Sequence, residues 1–192
     1  MLDNGRWGMM QQDAERMIEC LQTRGVGFDA GLSDEEVQNI ERTFKFVFPP
    51  DLKLLLQIAL PVSERFPDWR SGVGVQSMMD WPVEGIMFDV EYNNFWLEEW
   101  GQKPDSLEQR VLTVRSLAKK WPRLIPVYGH RYLPAFPSEA GNPVYSVYQT
   151  DIICYGNDLL TYLCREFKIA PYRSSFQRSK PKQIPFWGDL VL

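Results

Sequence analysis

Residues 124–156 constrain the fold of this chain more than any other part of it. Four short segments follow one another there: Leu124-Ile125-Pro126-Val127-Tyr128, Tyr132-Leu133-Pro134-Ala135-Phe136, Val144-Tyr145-Ser146-Val147-Tyr148-Gln149 and Asp151-Ile152-Ile153-Cys154-Tyr155. Each is rich in β-branched and aromatic residues and too short for an ordinary helix. Gly129 and Pro137 close the first two, and Thr150 divides the last two. Such runs, punctuated by turn residues, predict strands near 124–128, 132–136, 143–149 and 151–155 in one antiparallel meander.

The flanking segments have helical period. Met10, Ala14, Met17, Ile18 and Leu21 form one stripe, so residues 9–24 predict a first helix, ended by Gly25 and Gly27. Ser33-Asp34-Glu35-Glu36 is a capping box, in which the serine bonds the amide three residues on and Glu36 reaches back. Val37, Ile40 and Phe44 follow at helical spacing. Pro50 is placed to open a helix through Leu52, Leu55, Leu56 and Ala59, which Pro61 stops. Ser106-Leu107-Glu108-Gln109 caps another helix through Val111, Val114, Leu117 and Ala118, and Asn157 or Asp158 caps one through Leu159, Leu160, Leu163 and Phe167. Helices, then grouped strands, then a helix is an α+β order rather than a βαβ repeat, within the length of one domain, 1–192. Residues 62–104 are irregular in period. Val73 and Val75 alternate with Gly72 and Gly74 as in a short strand, and Ile86-Met87-Phe88-Asp89-Val90 suits a strand or a buried turn. In the C-terminal tail (171–192), Arg178, Lys180 and Lys182 precede Ile184-Pro185-Phe186-Trp187, whose rings are costly to leave in water and are expected to dock on the domain.

Charge is unevenly spread. Residues 1–100 hold 8 Lys/Arg against 18 Asp/Glu, and the remainder 13 against 7. No basic residue lies between Ser71 and Gln102, a stretch holding Asp80, Glu84, Asp89, Glu91, Glu98 and Glu99. That sign argues against direct nucleic-acid binding. Trp81, Phe88, Tyr92, Phe95, Trp96 and Trp100 lie in the same stretch, and aromatics beside charges are what protein interfaces use for anchoring and steering. The expected partner face is therefore Asp80, Trp81, Glu84, Asp89, Glu91, Trp96, Glu98, Glu99 and Trp100, together with the turn His130-Arg131-Tyr132. A protein partner of basic character is implied.

Catalytic signals are few. The single histidine, His130, excludes a multi-histidine zinc site, and there is no Cys-x-x-Cys pair, no P-loop and no Gly-x-Ser-x-Gly elbow, so no metal or cofactor is expected. Gly72-Val73-Gly74 lacks the rest of a dinucleotide fingerprint. On a strand, Asp89 and Glu91 would share a face, which with His130 leaves a hydrolase as an alternative. Cys20, Cys154 and Cys164 form no disulfide framework, and Cys154 and Cys164 fit small buried hydrophobes. No apolar run approaches the roughly 18 residues of a membrane helix, and the first residues carry no secretory pattern. The expected location is the cytoplasm.

Residues Leu32-Ser33-Asp34-Glu35-Glu36-Val37 through Phe48-Pro49-Pro50-Asp51-Leu52-Lys53-Leu54-Leu55-Leu56 resemble the entry motif of the SUKH superfamily, the bacterial toxin-immunity proteins and the Smi/Knr-type cell-wall regulators. Trp81-Pro82-Val83-Glu84-Gly85-Ile86, Phe95-Trp96, Leu124-Ile125-Pro126-Val127, Asp151-Ile152-Ile153-Cys154-Tyr155-Gly156 and Asp158-Leu159-Leu160-Thr161-Tyr162-Leu163 also look like the family, in order along the chain. The likeness spans residues 32–167. Family members often carry Asn-Gly after the second helix, where this chain has Ala59-Leu60-Pro61-Val62. The resemblance implies a SUKH-like α+β fold and a non-catalytic binding role. In bacteria that role is most often neutralisation of a cognate toxin, commonly a nuclease. A scaffold or regulatory module without a toxin partner is the alternative.

Overall fold

In the computed structural model, residues 9–170 and 180–191 are described. Helix α1 (Gln11–Thr23) turns its Ala14, Met17, Ile18 and Leu21 stripe inward, as its spacing predicts. A short strand β1 (Phe28–Ala30) follows, then α2 (Asp34–Phe44), whose Ser33/Glu36 capping box forms in both directions. Pro50 opens α3 (Pro50–Ile58), which passes directly into β2 (Ala59–Pro61). β2 pairs antiparallel with β1 in a two-stranded ribbon. Sequence pattern does not reveal this ribbon, because three-residue strands carry no measurable period. Glycine is required at Gly31, where a Cβ would lie 2.0 Å from the Gln57 carbonyl oxygen.

The largest departure from expectation is α4 (Val75–Tyr92), an 18-residue helix that occupies the segment where a strand at 73–75 and a strand or turn at 86–90 are expected. Gly74, in the left-handed region (φ 74°), caps it. Its regular period is masked because Asp89 and Pro82 sit on the buried side and aromatics on the outer side. A 3₁₀ turn (Glu98–Trp100) leads to α5 (Leu107–Ala118), where Ser106 accepts a bond from the Gln109 amide.

The four predicted strands are present: β3 (Leu124–Tyr128), β4 (Arg131–Pro134), β5 (Val144–Tyr148) and β6 (Asp151–Gly156), antiparallel in the order β3-β4-β5-β6. The second begins one residue earlier and ends two earlier than expected, although the Ala135 amide still donates to the Arg123 carbonyl at 2.8 Å. Helix α6 (Leu159–Glu166) follows the sheet, with Asp158 accepting from the Thr161 amide. The protein is thus α+β. No helix among the described residues is long and apolar enough to cross a membrane.

Both faces of the sheet are covered. Ile125, Val127, Leu133 and Val144 join α1, α2, α3 and α6 in one apolar cluster. Leu124, Tyr132, Tyr145, Val147 and Ile152 join α4, α5 and the C-terminal segment in another. Successive strand residues point to opposite faces, so every strand that feeds both clusters must be apolar on both sides. That explains the unbroken run Leu124-Ile125-Pro126-Val127, all buried.

The C-terminal segment docks as expected; Arg178 lies outside the described residues. Ile184, Phe186 and Trp187 are buried, and Phe186 stacks on Trp121 with ring centroids 3.6 Å apart. The Trp187 indole N–H donates to the Pro122 carbonyl at 2.6 Å, and Val191 forms a parallel bridge with Ile152 on β6. Truncating a fully buried aromatic leaves a void that the surroundings fill only in part. Trp187→Ala is therefore expected to lower unfolding free energy by about 3 kcal/mol, read from urea denaturation. An unchanged midpoint would show that the tail contributes nothing to the core.

Candidate functional site

A helix turning at about 3.6 residues per turn sorts the side chains of α4 into stripes. Trp81, Phe88 and Tyr92 recur at i, i+7 and i+11 and share one exposed stripe, at 46, 44 and 71% exposure. Asp80, Glu84 and Glu91, at i, i+4 and i+11, lie on the adjacent stripe. Phe88 and Tyr92 rest against each other with centroids 4.8 Å apart, and Asp80 accepts a bond from the Gln76 side chain. Large aromatics beside carboxylates on a rigid outer face are the feature of this surface that ordinary solvation does not explain.

The inner side of α4 is fastened to the sheet. Pro82 has no N–H, so the Met78 carbonyl, four residues earlier, loses its helical donor. The buried Tyr132 hydroxyl donates to that carbonyl at 3.0 Å. About two turns beyond Pro82, the buried Asp89 carboxylate accepts from the Thr150 amide at 2.9 Å, from the Thr150 hydroxyl at 2.6 Å and from the Asn93 side chain at 2.5 Å. This grips the β5–β6 turn, where Gln149 holds a left-handed φ of 56°. Gly85 lets the turn approach, since a Cβ there would lie 2.8 Å from Gln149 Cα.

The expected partner face is therefore only partly assembled. Asp80, Trp81, Glu84 and Glu91 line the outer side of α4, and Glu98 and Glu99 are exposed on the 3₁₀ turn. Asp89 is not on that face: on a helix it lies about 200° from Glu91, and both its oxygens are engaged inside. Trp96 and Trp100 pack toward the core. The Trp96 indole donates to the Gly101 carbonyl, and Trp100 stacks on Trp121 and Phe186. Tyr132 is buried beneath α4. Arg131, on the opposite side of β4, is 9% exposed and donates to Glu166 at 3.2 Å and to Ser146 at 3.0 Å. Only His130 of that turn is partly open, and not beside α4. Phe88 and Tyr92, named in the acidic stretch but outside the expected set, complete the stripe; helical spacing would have found them had α4 been recognised.

The trio Asp89, Glu91 and His130 does not converge. The charged groups around His130 are Arg131, Arg65 and Glu166. Burial first, and the two guanidinium groups next, lower its pKa. Burial raises the thiol pKa of Cys154, and that of Cys164 to about 11, so neither is an activated nucleophile.

No protein-family model matches the chain, and comparisons with curated proteins and with solved structures give no match either.

Two expectations follow. Asp89→Ala leaves the Thr150 donors unmet and frees the strained turn, so a loss of about 2 kcal/mol is expected, against little change for Glu84→Ala, both read by denaturant unfolding. His130 is held below its unfolded pKa of about 6.5, so the unfolded chain takes up the proton first and stability falls as pH drops below that value. His130→Gln should flatten the decline in melting temperature measured in this acidic window.

Proposed function

We propose that this chain is a non-enzymatic protein-binding domain whose docking face is the outer side of α4. The observation that carries the reading is the stripe of Trp81, Phe88 and Tyr92 beside Asp80, Glu84 and Glu91, on a helix locked from behind. The aromatics supply contact area that is already paid for in rigidity, and the carboxylates select a basic partner and speed its approach.

The resemblance of residues 32–167 to the SUKH superfamily supports a finer reading. The domain acts in the cytoplasm as an immunity protein, neutralising a cognate toxin, such as a nuclease, by direct binding. A nuclease domain has a basic surface for its own substrate, and an acidic face competes for that surface. The same face would serve a regulatory module of the Smi/Knr type, and the identity of the captured partner separates the two.

The test is capture of the partner by the tagged protein from its source cells, followed by binding kinetics on variants. Trp81→Ala and Phe88→Ala should each raise the off-rate and cost ~2 kcal/mol of affinity, with the melting temperature unmoved. Asp80→Lys with Glu84→Lys should slow association at low salt, and the difference should shrink as ionic strength rises. Glu98→Lys with Glu99→Lys extends the same measurement to the 3₁₀ turn. If α4 reversals leave binding at low salt untouched, the partner docks elsewhere. A protein that protects cells from a toxic nuclease identifies the immunity role; a non-toxic partner identifies the regulatory one.

A further inference from the structure

At the β3–β4 turn, on the sheet side away from α4, basic groups gather. Arg131 projects from β4 on that face and stacks on the Tyr155 ring at 4.1 Å. Arg65 reaches in from the segment before the sheet: its carbonyl accepts the Gly129 amide at 2.7 Å, and its guanidinium lies over the Tyr128 ring at 4.6 Å. Its side chain also closes over Gly129, where an added Cβ would meet Nη2 at 3.0 Å. His130 follows in the same turn, within electrostatic range of both arginines. Glu166 is the carboxylate that answers them, and it does so through one oxygen, 3.2 Å from Arg131 Nε.

Donors therefore exceed acceptors here. The Arg65 guanidinium forms no hydrogen bond among the described residues, and it is exposed. Beneath the arginines, the Tyr162 hydroxyl is fully buried and has no hydrogen-bond partner. Its ring lies 6.2 Å from that of Tyr155, on which Arg131 stacks, and Glu166, Arg131, Tyr128 and Arg65 are its electrostatic neighbours. Buried hydroxyls almost always find a partner, and one without an acceptor under two guanidinium groups marks a place short of an oxyanion. Planar guanidinium forks suit the oxygens of a phosphoryl group better than a point charge would.

We propose that Arg65, His130 and Arg131 form a binding site for a phosphoryl group, with Arg65 as the exposed clamp and Arg131 as the buried, ion-paired one. The site lies on the face opposite α4 and is independent of the partner-docking reading. A bound dianion stabilises the imidazolium, so binding strengthens as pH falls and His130 titrates at higher pH. Arg65, Arg131, Glu166, Tyr128 and Tyr162 are the charged or titratable groups that set this response.

Because His130 is the one histidine of the sequence, its ring protons report on the site without ambiguity. The experiment is a proton NMR titration of the full chain with pyrophosphate and with adenosine diphosphate, against sodium chloride at matched ionic strength. Either phosphate compound should raise the His130 midpoint by about 1 pH unit. Equal shifts indicate a site for the phosphoryl group alone; a larger one with the nucleotide indicates that the base is also held. Arg65→Ala should remove the shift while the melting temperature stays the same, and Arg115→Ala, an exposed arginine on α5, should retain it. The proposal is overturned if neither compound moves the midpoint more than chloride does, or if Arg65→Ala responds as the unaltered protein does.

Discussion

The hydrogen bond from Tyr132 to the Met78 carbonyl is the constraint on which the outer half of this protein depends. Proline inside a helix removes one donor and leaves one acceptor bare, at a cost of about 3 kcal/mol when nothing compensates. Here the bare carbonyl faces the sheet, and β4 supplies the missing donor. The interruption in α4 thereby becomes the point at which the helix is tied down. Asp89 provides the second tie, through Thr150. Two polar bonds of fixed geometry set both the position and the rotation of α4, which apolar packing alone leaves free to slide. The rotation matters because it decides which stripe reaches solvent.

The aromatic content of the chain follows from the same architecture. An antiparallel sheet commonly leaves one face wet, but this sheet is packed on both sides over β3 and β4. The side facing α4 is closed by α4, α5 and a C-terminal segment whose described residues, 180–191, form no helix. A segment without regular structure covers area best with wide, rigid side chains. Phe186 and Trp187 fill that role, meeting Trp121 and Trp100 in a stacked cluster. Prolines at 181 and 185 limit the conformations open to the unfolded tail and so reduce the entropy lost on docking.

The meander, the capped helices and the docked tail were legible in sequence because each rests on a local signal: turn residues between β-branched runs, a serine three residues before a glutamate, rings too apolar for water. The ribbon of β1 and β2 was not, because its pairing is nonlocal and its strands are three residues long. Helix α4 was missed for a different reason. Its buried side carries Asp89 and Pro82, its outer side carries Trp81, Phe88 and Tyr92, and Gly85 stands in its middle. Each residue reverses the usual polarity or propensity at its position, and each does so for a contact made elsewhere in the fold. The candidate face inherited that error. The acids and aromatics between residues 80 and 100 stand out in the sequence as a group, but without the helical period nothing separates Asp89, which faces inward, from Glu91, which does not. Arg131 and Tyr132 were set on one surface with His130, although adjacent strand residues point to opposite faces.

A helix in place of a loop also changes how the proposed docking face works. A loop that presents three rings must be ordered on binding, at about 0.5–1.5 kcal/mol for each immobilised side chain with the backbone cost added. On α4 the backbone is fixed beforehand, and Phe88 and Tyr92 already restrict each other by contact. The free protein leaves this aromatic surface in water, and the proposed complex would bury it. The adjacent carboxylates then do two things at once. In the proposed complex they would oppose pairing of the exposed rings with a second copy of the same face, since like charges would be brought together, and would favour an approaching surface of the opposite sign. On the proposed docking face, discrimination between self and partner would rest on two neighbouring stripes of one helix, and it would hold only while Tyr132 and Asp89 keep that helix from turning.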